Sequence, residues 1–270
     1  GQVDLAEAHR RLTRIVEASH PYRRWIVTLA LAAMAAGVAV LLNGGWPVAL
    51  AAGVTTGIID RTLRRLRALG LPSFFQQVAG AAIATAMALV LLWGHDQFEW
   101  DASLLPPSLV VAAGIVVLLA GLSLVGAAED AISGYPLTAA ARSFEVALHT
   151  IGLVVGIGVT LDIGRRLGVP LRITDPSTLT TPTVLQILAG GIIAGAWAVA
   201  SYARPRTVIP AAVAGASAVG VYLALSAAGA GAATRAFGAA LVVGFASGFA
   251  ADRLGVQQHV VSVSGIPPLL

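Results

Sequence analysis

Apolar residues fill this chain in long blocks, and short polar or glycine-rich breaks separate them. The blocks predict helices at 25–42, at 46–59 with a charged extension, at 73–93, 108–128, 136–163, 183–202, 208–227 and 234–251, and the start of a ninth at 260–270. Most approach the ~20 residues that cross a hydrocarbon core. The breaks carry turn chemistry. Asn43-Gly44-Gly45 makes a tight turn, Gly134 can close one helix, and Pro136 can open the next at its first turn. Ahead of the first block, residues 4–19 read as an amphipathic helix with Leu5, Leu12, Ile15 and Val16 in one stripe. Arg10, Arg11 and Arg14 flank that stripe, and Asp4 and Glu7 have capping-box spacing. The pattern therefore predicts an all-α polytopic membrane protein with about eight to nine transmembrane helices in this chain.

Composition agrees: 57% of the 270 residues are hydrophobic and 11% are charged, where soluble domains carry about 25%. There is no cysteine, which excludes disulfide and thiolate chemistry. All 17 basic residues are arginine. They sit beside apolar blocks, so the net charge of +4 implies no nucleic-acid partner. Their placement orients the chain. With the N-terminus in the cytoplasm, that side holds Arg10, Arg11, Arg14, Arg23, Arg24, Arg61, Arg64, Arg65, Arg67, Arg142, Arg204, Arg206 and Arg253. The other side holds Arg165, Arg166, Arg172 and Arg235. The chain opens on Gly rather than Met and stops inside an apolar segment, so it reads as part of a longer protein.

Two segments repeat. VVAAGIVVLL at 110–119 aligns with residues 261–270, with Gly114 on Gly265 and Ile115 on Ile266. One copy opens the fourth block and the other opens the ninth. A repeat of five spans puts its copies in opposite orientations, as in inverted-repeat transporters. The expected division is an interfacial helix at 1–21, a first five-helix repeat at 22–167, a connecting loop at 168–182, and a second repeat at 183–270 cut short at its C-terminus.

The ionisable residues concentrate in 119–149, where Glu129, Asp130, Arg142, Glu145 and His149 lie between two apolar blocks. A charge at membrane depth costs roughly 2.5–3.5 kcal/mol even on the mildest scale, so it needs a partner or a task. Arg142, Glu145 and His149 share one helical face. A zwitterionic substrate would need both signs: Arg142 for its carboxylate and an acid such as Asp130 for its ammonium. Ser123, Gly114 and Gly265 complete the expected substrate-binding set. Asp130, Glu145 and His149 are candidates for proton coupling. The plainer alternatives are an Arg142–Glu145 pair that satisfies itself, a packing role for His149, and a structural Asp60–Arg64 pair at the membrane surface. An intramembrane enzyme fits less well. No His-Glu-x-x-His run is present for a metal, and no histidine is evidently paired with Ser247 or Ser264. No cofactor and no metal are implied. A channel or a membrane assembly protein is the third reading.

Four stretches resemble the threonine/serine exporter family: 5–25 with its arginines, GGWPVALAAGVTTGIIDRTLRRLRALGLP at 44–72, the charged segment 119–148, and SGIPPLL at 264–270. In the third, Asp130, Gly134, Arg142 and Glu145 fit the family pattern. Ala120 stands where the family often has Pro, and Gly126 where it often has Asn. The resemblance implies ten spans as five plus five. It also implies proton-driven export of threonine and serine across a bacterial plasma membrane. The expected partners are the amino acid, protons and lipid, with a homo-oligomer left open.

Overall fold

A computed structural model describes residues 22–98, 106–119, 121–169 and 181–254. The expected helix at 4–19, the ninth span and Gly265 lie outside these residues. The described residues form α-helices and one 3-10 turn, with no strand among them. In chain order the helices are α1 (Arg24–Leu41), α2 (Trp46–Ala68), α3 (Ser73–Phe98), α4 (Pro107–Ile115), α5 (Gly121–Ile132), α6 (Pro136–Arg166), α7 (Thr183–Ala200), α8 (Pro205–Ala227) and α9 (Ala232–Leu254). The 3-10 turn, Val116–Leu118, directly follows α4.

Five helices, α1, α3, α6, α7 and α8, are long and apolar enough to cross a membrane, and a sixth crossing follows if α4 and α5 count as one bent span. This is fewer than the eight to nine expected. α2 has the length, but Asp60, Arg61, Arg64, Arg65 and Arg67 charge its last third. For α9 the apolar stretch counted among the described residues is Ala232–Ala246. The fourth block differs as well. Expected as one helix at 108–128, it is interrupted: Leu119 is extended, and the two pieces meet at 49°.

α1 is central and packs on α2, α4 and α7. Met34, Ala35, Val38 and Ala39 of α1 form one core with Val48, Ala52, Val110, Ala113 and Ile193. A second core joins Ile59, Ala81, Ala84, Leu118 and Leu153. Lipid tails are as apolar as leucine, so small residues that admit a neighbouring backbone organise such a bundle. Gly190 and Gly215 face each other between α7 and α8, and Gly156 sits on the Val78 carbonyl of α3.

These contacts fix directions. Asp60 and Arg64 reach Thr28, so the end of α2 lies beside the start of α1. Asn43 accepts from Thr181 N–H and Gln186 Nε2, so α7 starts where α1 ends. Gly152 lies on Phe74 and Gly164 on Leu89, so α6 runs parallel to α3. One end of the bundle thus carries Arg23, Arg24, Arg61, Arg64, Arg65, Arg67, Arg142, Arg204 and Arg206. The other carries Arg165, Arg166 and Arg235. This second group is compensated locally: Asp162 takes both Arg165 and Arg166 at 2.8 Å. Arg235 donates to Ser226 and lies 5.3 Å from the Tyr222 ring centre.

The first and later helices share a register. α1 and α7 both have 18 residues, and α2 and α8 both have 23. Two residues past the first helix of each set stands a residue of positive φ, Asn43 or Tyr202. Two residues past the second stands Gly70 or Gly229. A shift of 159 residues relates them all (24 to 183, 46 to 205, 73 to 232). Contacts follow the same shift: Gly53 meets Ala32 between α1 and α2, and Gly191 meets Ala212 between α7 and α8.

Candidate functional site

The charged hairpin is α5, a turn, and α6. α5 ends in a Schellman motif: Tyr135 N–H bonds to the Asp130 carbonyl at 2.8 Å, and Gly134 N–H bonds to the Ala131 carbonyl. Gly134 supplies the required left-handed backbone at φ 83. Pro136 then sets the first turn of α6. The chain therefore reverses within three residues and brings the last turns of α5 against the first turns of α6.

Ser123, Gly126 and Asp130 fall on one face of α5, at i, i+3 and i+7. That face receives Arg142. Its Nε lies 3.2 Å from Asp130 Oδ2, and its Nη1 rests where a Cβ at position 126 would stand. Gly126 is buried, and its missing side chain is what lets the guanidinium lie flat on α5. Asp130 Oδ2 is shielded from solvent but takes no well-aligned hydrogen bond, so the contact is ionic and geometrically loose. The Asp130 side chain is 22% exposed and the Arg142 side chain 47%. The pair is reachable from outside the bundle.

The pairing differs from the self-satisfied Arg142–Glu145 contact weighed above. Arg142 reaches across the hairpin, because α5 presents an acid and an open glycine at the right height. Glu145 turns to His149, with Oε1 4.0 Å from Nε2. His149 is mostly enclosed, and its Nε2 is buried without a hydrogen-bond partner. Gln77 Oε1, on the helix that faces α6, is in the same condition. Gly114 is not at the hairpin. It packs in the interior beside Thr55 and Ala84.

The Asp60–Arg64 pair expected from spacing forms at 2.8 Å, and Asp60 is buried at 7% exposure. The signal was present in Gly53 and Gly57, which share its helical face and draw α1 over it. One cleft of about 560 Å³, lined mostly by apolar atoms near Asn43, Trp46, Leu50 and Leu185, lies away from both charged groups. No group of three or more metal-ligating side chains occurs among the described residues.

Helices of this length and apolarity, with a bent pair among them, define a multi-pass α-helical membrane protein. The chain belongs to the threonine/serine exporter family: residues 1–164 match the family described as "Putative threonine/serine exporter". It is 39% identical over 279 residues to a Mycobacterium tuberculosis protein named "Probable threonine/serine exporter", covering 100% of this chain and 51% of that protein. It is 37% identical over 267 residues to a Corynebacterium glutamicum protein named "Threonine/serine exporter", covering 97% of this chain and 53% of that protein. The chain thus spans about half the length of these relatives. No solved structure matches it.

Proposed function

We propose that this chain is the membrane portion of a secondary exporter of threonine and serine, in the bacterial plasma membrane with its N-terminus cytoplasmic, driven by proton antiport. It moves its substrate without transforming it. The observation that carries the reading is the Asp130–Arg142 pair, half-open between the second piece of a bent span and the helix that follows it. An amino-acid zwitterion matches an opened ion pair: its carboxylate replaces Asp130 on Arg142, and its ammonium replaces Arg142 on Asp130. Charge balance is preserved at each step, and both new contacts are charge-assisted. Leu137 and Thr138, in the first turn of α6, present N–H groups with no partner inside the helix, and these add positive potential beside the carboxylate site.

Two further observations support transport. The 159-residue register and the antiparallel meeting of α1 with α7 suit two inverted repeats related by an axis in the membrane plane. The relatives named above also carry the exporter name. Glu145 and His149 offer a proton route beside the hairpin, since His149 Nε2 has no other partner. The excess of arginines at the hairpin end supports a cytoplasmic position for that end. The test is uptake of labelled threonine into inside-out vesicles with and without an imposed proton gradient. Gradient-stimulated uptake is expected. Uptake at equal rates in both conditions would leave a channel, and no uptake would sink the reading.

A further inference from the structure

The seam between α1 and α2 holds a second ionic cluster, apart from the hairpin. Gly53, Gly57, Asp60 and Arg64 form one stripe on α2 at i, i+4, i+7 and i+11. A Cβ at Gly53 would stand 3.3 Å from the Ala32 carbonyl oxygen, and one at Gly57 3.9 Å from Thr28 Cγ2. The middle of the seam is therefore bare backbone, and its arginine-rich end is ionic. There Thr28 Oγ1 donates to Asp60 Oδ2 at 2.7 Å. Arg64 Nη2 lies 2.8 Å from the same oxygen and donates to Thr28 Oγ1 at 3.0 Å. Asp60 is the one carboxylate classed as buried among the described residues.

The fold supplies its own control. At the positions shifted by 159 residues, Thr28, Asp60 and Arg64 become Ile187, Val219 and Leu223. The α7–α8 seam closes with the same small-residue contacts and no charge. Ionic residues are thus not needed to hold such a seam together. A buried ionisable group without a structural need is a candidate for an ion or proton pathway. Thr56 adds direction. It is fully buried one turn from Asp60, toward the opposite end of the bundle. Its hydroxyl has no partner, whereas Thr55 and Thr85 return theirs to Ala51 and Ala81.

We infer that Asp60 carries the coupling proton of export and that Arg64 is the charge this proton displaces. The inference rests on the proton-antiport reading above and adds the residue that does the coupling. In the state described here the carboxylate is held by Thr28 and Arg64, and α1 is clamped to α2. A proton arriving past Thr56 binds Oδ2 and neutralises Asp60. Arg64, whose side chain is already 33% exposed, turns out to water. The glycine seam then lacks its polar clasp, and α1 is free to shift on α2. Loss of the proton at the arginine-rich end restores the clasp. Along the seam, Arg24 of α1 stands one turn before Thr28, and Arg61 of α2 follows Asp60. α4 carries no titratable group, His95 and Asp96 of α3 stand at that helix's far end, and α6, whose Leu153 packs against Ile59, carries His149 one turn from Leu153.

The experiment uses the full chain in proteoliposomes, with a pH-sensitive dye inside. Asp60→Asn, Thr56→Val and Asp60→Asn/Arg64→Gln are compared with wild type, each checked for folding. The double variant removes both charges and keeps the test valid if Asp60→Asn alone misfolds. The readouts are exchange of labelled for unlabelled threonine without a gradient, gradient-driven flux, and proton movement accompanying threonine. For the double variant, exchange should persist while gradient-driven flux and proton movement are lost. Thr56→Val should slow proton movement more than exchange. Wild-type proton movement in the double variant would overturn the inference. So would loss of exchange in a folded double variant, which would make the cluster a structural clamp. Absence of threonine exchange in the wild type would instead remove the export reading itself.

Discussion

Replacing Gly126 with alanine adds one methyl group at the point where Arg142 lies on α5. The new Cβ would overlap Arg142 Nη1, with Cζ 3.4 Å and Cδ 3.8 Å away. The obstacle is the end of a long, 47% exposed side chain, so the guanidinium swings out and the backbone stays. Two energies then oppose each other. Alanine in place of glycine inside a helix gains roughly 1 kcal/mol. Losing a partly exposed ion pair costs roughly 0.2–1 kcal/mol. Stability should change little, within a few degrees in melting temperature. Transport has no such compensation. A hydrogen bond to a charged group contributes about 1.5–3 kcal/mol, so losing Arg142 from the substrate carboxylate should raise the half-saturating threonine concentration roughly ten- to hundredfold. The assay is threonine exchange in proteoliposomes beside thermal unfolding of the same preparation. Unchanged half-saturation would refute Arg142 as the carboxylate ligand. A collapse in stability would refute the swing. Gly158→Ala, on α6 with nothing near its Cβ position, is the control: it should leave half-saturation unchanged and gain the roughly 1 kcal/mol of the helix term alone.

Three more expectations accompany it. Asp130→Asn and Arg142→Gln, alone and together, should show a stability coupling of about 1 kcal/mol or less by thermal unfolding, since the pair is half-open. All three variants should lose threonine exchange, and exchange at the wild-type rate in the double variant would make the hairpin a structural corner. Single cysteines at Leu71, Ser133 and Ser201 should react with an impermeant reagent from one side of the membrane, and those at Leu42, Leu167 and Ala228 from the other. Mixed labelling within either set would contradict the helix directions. Gly215→Ala should destabilise by roughly 1–3 kcal/mol in thermal unfolding, because its Cβ would stand 2.5 Å from the Gly190 carbonyl oxygen and overlap Ala194.

Element boundaries were legible wherever they carried turn chemistry. Asn43 and Gly134 adopt positive φ within a few residues of a helix end, and Pro136 opens α6 as its position implied. The break after Leu118 was not legible. No glycine or proline stands between Val116 and Leu119 to signal it, and apolarity runs on unbroken. Side-chain partners were harder still. Spacing along one helix suggested Arg142 with Glu145, but the tertiary choice was Asp130, made available by an empty position at Gly126 on the opposite helix. Asp60 was read from its own helix alone, where it looks like the edge of a charged run. Its burial depends on α1 closing over two glycines, which only the packed pair reveals.

The length of α6 has a further consequence. Its 31 residues extend about 46 Å, against a hydrocarbon thickness of about 30 Å. α1, with 18 residues, reaches only about 27 Å. Neighbours in one bundle thus set conflicting demands on the surrounding lipid, and tilt or local thinning must absorb the difference at fractions of a kcal/mol per ångström. The hairpin stands at the overhanging end. In thin membranes Asp130 and Arg142 sit among headgroups, where parting them to admit a substrate costs little. Longer acyl chains draw hydrocarbon up around them, and each parted charge then faces lipid tails. Acyl length therefore acts on this molecule as a dial for substrate entry, readable as threonine exchange falling across vesicles of graded thickness.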